Sequence, residues 1–179
     1  MQEEYFDIVD EDNKKTGEVK SRSQAHSTGL WHRTVHIYYF RKENNKYFFL
    51  VHLRSKTKDL HPNCWDTRFG GHVKAGETIE NALIDEIKEE IGLSLQYSDF
   101  IKGLVGKSEH YSNNEFIYVF FYKGLKDTGS LKFEDGEVQK VKWMDENEII
   151  KSMRTEPEEW SGNVESFIII SQALKEIIE

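Results

Sequence analysis

The feature that most constrains this chain is the segment 71–93, which joins a glycine turn to an acidic helix. At about 100° per residue, the apolar side chains of residues 79–91 form one arc, which predicts an amphipathic helix. Glu86, Glu89 and Glu90 are expected at the border of this arc, where a carboxylate loses water at a cost in free energy. A divalent cation can offset that cost, and Mg²⁺ and Mn²⁺ prefer oxygen ligands. The segment therefore predicts a metal and phosphate site.

The same residues resemble the Nudix box, Gx5Ex7REUxEExGU, in which U is an aliphatic residue. The positions that match are Gly71, Glu77, Glu86, Ile87, Glu89, Glu90, Gly92 and Leu93. The box has an arginine where this chain has Asp85, immediately before Glu86. A chance match to a pattern of this length is rare, so the chain is identified as a member of the Nudix superfamily.

This resemblance implies a Nudix-type α/β/α sandwich with a mixed β-sheet. It also implies a hydrolase of phosphoric anhydrides that uses Mg²⁺ or Mn²⁺. By positional match, the metal ligands would be Glu86, Glu89, Glu90 and the carbonyl of Gly71. Glu86 and Glu77 are the catalytic candidates, Glu86 as a ligand or general base and Glu77 as an orienting group. The implied partner is a small diphosphate substrate, such as a nucleoside di- or triphosphate, and no motif identifies its base, sugar or prenyl chain.

A second set of residues resembles the metal site of type 1 isopentenyl-diphosphate isomerases. Its members in this chain are His26, His32, His72 and Glu115. Two positions depart from the isomerase pattern: Asn113 stands where a second glutamate is expected, and Gly70 stands where the isomerase has its acid/base cysteine. The resemblance, which covers about residues 5–155, therefore indicates an isomerase-like branch turned to hydrolysis. Simple packing of His26 and His32 in a loop is the alternative to a metal role.

Three cations lie shortly before the box and are candidates for binding substrate phosphates: Arg54, Lys56 and Arg68. Arginine suits this task because its guanidinium group makes bidentate contacts with phosphate. For Arg54 and Lys56, the solvated end of a strand is an equally good explanation.

Asp85 leaves two interpretations open. In the first, its negative charge raises the pKa of Glu86 and slows the enzyme. In the second, Asp85 is a solvated residue that pairs with Lys88, and another side chain has taken over the orienting role of the box arginine. The two rivals to a hydrolase are an isopentenyl-diphosphate isomerase, which the histidines favour, and a catalytically silent binding module, which Asp85 favours.

Length and composition predict a single domain over residues 1–179, and the resemblance implies that it is a Nudix hydrolase domain. The formal charge of -8 argues against a nucleic-acid polymer as partner. Cys64 is the only cysteine, and we find neither a secretory leader nor an apolar run long enough to span a membrane. We therefore expect a cytoplasmic protein without a membrane partner, and a homodimer stays open.

Along the chain, an N-terminal hairpin is predicted within about residues 1–30, with strands at 5–9 and from 18 onward. Further strands are predicted at 34–40, 47–53, 100–105, 116–122 and 138–143. Asp145 is expected to cap a helix that runs through residue 151, and a C-terminal helix is expected over 164–178.

Overall fold

The computed structural model describes residues 3–58, 60–110, 113–125, 127–129, 131–133 and 136–179. The strands are β1 (Tyr5–Val9), β2 (Lys15–Ser21), β3 (His32–Glu43), β4 (Lys46–Arg54), β5 (Trp65–Asp66), β6 (Ile101–His110), β7 (Asn113–Tyr122) and β8 (Val138–Asp145). The helices are α1 (Arg22–Thr28), α2 (Ile79–Ile91), α3 (Glu146–Thr155) and α4 (Val164–Ile178). Within the described residues, no helix is both long enough and apolar enough to cross a membrane.

The main sheet is mixed, with the strand order β5-β4-β3-β7-β6 and with β8 also paired to β4. β3 and β7 run parallel, and His32 lies opposite Glu115 in their register. The pairs β3–β4, β4–β8 and β6–β7 are antiparallel. β1 and β2 form a separate antiparallel hairpin. The mixed sheet expected from the resemblance is therefore present.

Strand β3 carries apolar side chains on both faces of this sheet, and helices cover both faces because these side chains must be buried. Val35, Ile37 and Tyr39 lie in the core cluster that also contains the apolar arc of α2. Tyr38 and Phe40 lie in the other cluster, with the buried side chains of α3 and α4. This arrangement confirms the α/β/α sandwich.

Strands β3 and β4 separate beyond their hairpin, and the chain before α2 fills the space between them. The two strands pair only from Phe40 opposite Phe49 to the turn. Further on, β5 pairs with β4, while Phe69 and His72 pair with β3. The box glycine thus lies in the plane of the sheet, where consecutive residues point to opposite faces.

Local sequence explains the bounds of the box helix. Thr78 caps α2 by accepting a hydrogen bond from the backbone N–H of Asn81 at 3.1 Å. Gly92 ends the helix in the left-handed conformation, with φ of 71°. Both ends agree with the predicted helix. Helix α1 was not predicted, although Ser21 and Gln24 form a capping box at its start.

Candidate functional site

The chain between β5 and α2, called here the inserted segment, lies between β3 and β4. Its adjacent residues Gly71 and His72 place two groups of candidate ligands on opposite faces of the sheet. A Cβ atom on Gly71 would point toward α2, since it would lie 2.5 Å from Oε1 of Glu86. His72 pairs with Thr34, whose side chain points away from the α2 face that Val35 occupies. The eight candidate metal ligands of the sequence therefore fall into two groups on opposite faces of the sheet, one on the α2 face and one centred on histidines.

On the α2 face, the three box glutamates differ in exposure. Glu90 is 8% exposed, and its Oε2 accepts a hydrogen bond from the backbone N–H of Gly70 at 2.7 Å. Glu86 is partly buried, and burial raises its pKa to about 8, against the charge of Lys74, which lowers it. The side chain of Glu89 is 60% exposed. The expectation that all three carboxylates are removed from water is therefore wrong for Glu89. Its position on α2 is further from the middle of the apolar arc than the positions of Glu86 and Glu90.

Glu77 and Lys74 lie at the two ends of the turn that precedes α2, close to these acids. Oε2 of Glu77 accepts a hydrogen bond from the backbone N–H of Lys74 at 2.9 Å. The ammonium group of Lys74 lies 3.8 Å from Oε2 of Glu89. Glu77 thus fixes the shape of the turn, and Lys74 places a positive charge beside the box carboxylates. Sequence reasoning missed Lys74.

The structure bears on the first interpretation of Asp85 only through the pKa of Glu86, and a slower enzyme stays a prediction. The side chain of Asp85 is exposed, and the largest cause of the raised pKa of Glu86 is burial rather than the charge of Asp85. The charge of Asp85 instead helps to raise the pKa of Glu77, after the larger effect of burial. The carbonyl of Gly71 accepts a hydrogen bond from the N–H of Val35 at 2.9 Å, which leaves it one lone pair for another ligand.

On the opposite face, three imidazoles and one carboxylate converge. Their ligand atoms all lie within 4.8 Å of one another, in the group His26, His32, His72 and Glu115. Nε2 of His26 is 3.3 Å from Nε2 of His32, and Nε2 of His72 is 3.7 Å from Oε1 of Glu115. Elements far apart in sequence supply these ligands: α1, the start of β3, the inserted segment and the start of β7.

The protonation of these histidines suits a metal. Nδ1 of His32 lies 2.9 Å from the carbonyl of Leu30 and must donate to it, so Nε2 carries the free lone pair. Nε2 of His72 is buried without a hydrogen-bond partner among the described residues. Burial lowers the pKa of His26 to about 4 and also lowers the pKa of His32 and His72. Neutral imidazoles are what a divalent cation requires as nitrogen ligands.

Two further residues complete the histidine site. Phe6 of β1 stacks on His32 and His72, with ring centroids 5.0 and 4.6 Å away. Nothing in the sequence indicates this contact, because Phe6 reads as an ordinary core residue of a hairpin. Asn113 donates a hydrogen bond to Oε1 of Glu115 at 2.9 Å, and thus orients the carboxylate.

The candidate phosphate-binding cations differ in their surroundings. Arg68 makes two contacts with the buried carboxylate of Asp66, at 3.0 and 3.1 Å. Arg54 donates to the carbonyls of Leu60 and His61, and one of its nitrogens lies 3.7 Å from Asp66. Lys56 is exposed. Both arginines are thus partly engaged with other groups of the protein.

Comparisons with a family model and with curated relatives agree on the family to which this chain is similar. A family model described as the NUDIX domain matches residues 30–164. An uncharacterized Nudix hydrolase of Clostridium acetobutylicum is 34% identical over 142 residues, which cover 77% of this chain and 68% of that protein. An isopentenyl-diphosphate Delta-isomerase of Shigella flexneri is 25% identical over 168 residues, covering 88% of this chain and 85% of the isomerase.

Two further curated relatives are matched over only 16% and 49% of their own length. The crystal structure of DR0079 from Deinococcus radiodurans has the same fold, with a TM-score of 0.70 over 95% of this chain and 99% of that one, at 18% identity.

Proposed function

The chain belongs to the NUDIX domain family, and we propose that it is a hydrolase that uses Mg²⁺ or Mn²⁺ to cleave a diphosphate linkage in a small nucleotide or a related diphosphate compound. The observation that carries this proposal is the approach of Glu86 to Gly71. A carboxylate held against a glycine backbone, in a setting that raises its pKa to about 8, gains most from a cation bound beside it.

The ligands that would hold this cation are Glu86, Glu89, Glu90 and the carbonyl of Gly71. A donor set of oxygen atoms fits Mg²⁺ or Mn²⁺. When bound, such a cation neutralises charge on phosphate oxygens and lowers the pKa of a water molecule.

The residues of the chain have distinct parts in the reaction. The oxygen of a water molecule attacks one phosphorus, the bridging P–O bond breaks, and the leaving phosphate takes the electron pair. We assign the proton of the attacking water to the Glu86 carboxylate as general base. Glu90 accepts a hydrogen bond from the N–H of Gly70, and Glu77 accepts one from the N–H of Lys74, so both fix the segment that carries Gly71.

The histidine group is proposed as a second metal site. Imidazole nitrogens suit divalent transition metals better than Mg²⁺. Nε2 of His72 supports this assignment, because it is buried with no hydrogen-bond partner in the described part of the chain, and such an atom is costly unless it binds something.

We also propose that the chain forms one domain, since β1 pairs with Lys74 next to the box and α1 contributes His26 to the histidine site. A cytoplasmic location and a homodimer remain predictions.

A panel of nucleoside di- and triphosphates, nucleotide sugars, dinucleoside polyphosphates and prenyl diphosphates tests the function. Each compound is incubated with the protein and with Mg²⁺ or Mn²⁺, and phosphate release and product masses are measured. Hydrolysis in ¹⁸O-labelled water identifies the phosphorus that is attacked. If every compound stays intact with either metal, the hydrolase proposal fails and the silent binding module becomes the better explanation.

Isopentenyl-diphosphate isomerisation is the second candidate, because a 25% identical relative carries that name and the histidine group assembles. Gly70 opposes it. A Cβ atom at this position would lie 2.1 Å from the carbonyl oxygen of Val35, so this backbone has no room for the acid/base thiol.

A further inference from the structure

The box position that normally holds an arginine is anionic in this chain, so the site lacks the cation that would orient Glu86 from the helix. Asp85 is exposed, and its charge acts on Glu77. A cation on another element would offset the repulsion among these carboxylates in the absence of metal, because like charges on neighbouring turns repel one another.

Lys74 is anchored where it can supply this charge. Its backbone N–H donates to Oε2 of Glu77, and its carbonyl accepts a hydrogen bond from the N–H of Glu77 at 3.0 Å. It pairs with Phe6 of β1, and the N–H of Ala75 donates to the carbonyl of Tyr5 at 2.7 Å. The backbone of Lys74 is therefore fixed on both sides, and its side chain reaches to within 3.8 Å of Glu89.

The charge of Lys74 acts on several acids at once. It lowers the pKa of Glu86 and of Glu77, against the larger effect of burial on each. Burial works against the charge of Lys74 itself, yet Glu89, Glu86, Glu77 and Glu4 together raise its pKa. The ion pair with Glu89 alone would be weak, because the two side chains are 40% and 60% exposed. The effect of Lys74 comes from its place among the carboxylates.

We infer that Lys74 replaces the missing box arginine as the cationic positioning residue for the Glu86 and Glu89 carboxylates, an inference that rests on the proposed hydrolase function. The positive charge has moved from the helix to the glycine turn. With the charge on the turn, Asp85 on the helix is tolerated.

Lys74→Met removes the charge and keeps most of the length of the side chain. Lys74→Arg keeps the charge, and Lys74→Met combined with Asp85→Arg returns a cation to the helix. Lys88→Met is the matched control, because Lys88 is an exposed lysine of α2 that faces away from the apolar arc. Hydrolysis is measured with the best substrate of the panel at saturating Mg²⁺.

We expect Lys74→Met to lower kcat about tenfold while KM changes less than about threefold, since the residue positions a carboxylate rather than binding substrate. Lys74→Arg and the double variant should stay within about threefold of the parent. A kcat for Lys74→Met equal to that of Lys88→Met, or a double variant no faster than Lys74→Met, would overturn the inference.

A second readout does not depend on activity. Without metal and at low salt, Lys74→Met should melt below the parent, because the carboxylates lose their counter-charge. Saturating Mg²⁺ should narrow this difference, since the metal then supplies the charge. A parent that hydrolyses nothing on the panel sinks the proposed function, and the melting series then decides on Lys74 alone: equal metal-free melting temperatures for Lys74→Met and Lys88→Met would refute its role.

Discussion

A methyl group on Gly71 would lie 2.5 Å from Oε1 of Glu86, so the carboxylate of Glu86 can keep its position only because residue 71 has no side chain. The preceding residue is constrained differently. Gly70 has φ of +115°, and a Cβ atom there would lie 2.1 Å from the carbonyl oxygen of Val35. Gly71 therefore leaves room for the flexible side chain of Glu86, whereas Gly70 leaves room for the backbone of β3, which cannot shift easily.

Gly71→Ala should therefore lower kcat/KM by at least about tenfold, because the carboxylate of Glu86 must leave its position. The free energy of unfolding should change by less than about 1 kcal/mol, since a flexible side chain can yield. Gly70→Ala should cost more than about 2 kcal/mol, through backbone strain and a clash with the sheet. Urea unfolding and hydrolysis rates of both variants check this, and equal stability losses at the two positions would contradict the packing described.

The pKa of Glu86 gives stability a dependence on pH. Its folded-state value of about 8 lies above its ordinary value of 4.5, so the folded protein keeps the proton longer than the unfolded chain. Stability of the metal-free protein should thus fall as pH rises from about 4.5 to about 8. Glu86→Gln carries no charge, so it should melt above the parent at about pH 9 and close to it at about pH 4.

Thermal melting in a chelator, repeated across pH, measures this difference. Adding Mg²⁺ should stabilise the parent at high pH and have little effect on Glu86→Gln. If the two proteins melt together at every pH without metal, Glu86 is not held in the environment that the structure gives it.

The sequence predicts the helices with α-helical periodicity well, because that pattern is local. α2 and α4 begin and end at the predicted residues, and their caps, Thr78 and Asn163, are typical helix starts. Strand bounds are less accurate, since β3 starts at His32 rather than residue 34, and β6 runs to His110. Tertiary pairing sets the ends of strands, and it is not written in a local pattern.

The candidate site, like the fold, could be predicted from the sequence only in part. The spacing of the box identifies Glu86, Glu89 and Glu90, but it cannot show that Glu89 faces water, because the packing of α2 on the sheet decides that. Nor can spacing separate the histidines from the carboxylates. That separation depends on the pairing of His72 with Thr34, which only the assembled sheet determines.

The proposed metal dependence can be tested at Glu89 and Glu90. Glu89→Gln or Glu90→Gln should lower turnover by about two orders of magnitude or more, because each removes a charged oxygen from the proposed ligand set. The metal-free variants should melt no lower than the metal-free parent, since one of several repelling charges is gone. Turnover of either variant near the parental value, at saturating substrate and metal, would show that the ligand set is wrong.

The histidine site should stabilise the fold when it holds a metal, because its ligands come from α1, β3, β7 and the segment before α2. Adding Mn²⁺ or Zn²⁺ to chelator-treated protein should raise the melting temperature, and His72→Ala should abolish most of the rise. His61→Ala is the control, since His61 is exposed and outside the group. Calorimetric titration gives the stoichiometry, and an unchanged metal response in His72→Ala would assign the effect to other ligands.

The last prediction separates hydrolase from isomerase. Interconversion of isopentenyl and dimethylallyl diphosphates adds a proton to one carbon and removes one from another, so an isomerase exchanges protons between its substrate and water. This chain resembles the isomerase at the histidine site, but Gly70 stands where the acid/base thiol is expected, and Val35 closes the space that a side chain would need. We therefore expect no deuterium to enter either prenyl diphosphate from heavy water, with Mg²⁺, Mn²⁺ or Zn²⁺ present.

Gly70→Cys should not create the isomerase activity, because the left-handed backbone and the carbonyl of Val35 prevent the thiol from taking its place. Mass spectrometry of the recovered substrate measures the exchange, and melting curves show whether Gly70→Cys folds. Deuterium incorporation by the parent well above a protein-free control would overturn the hydrolase proposal and assign the proton transfer to another side chain beside the histidines.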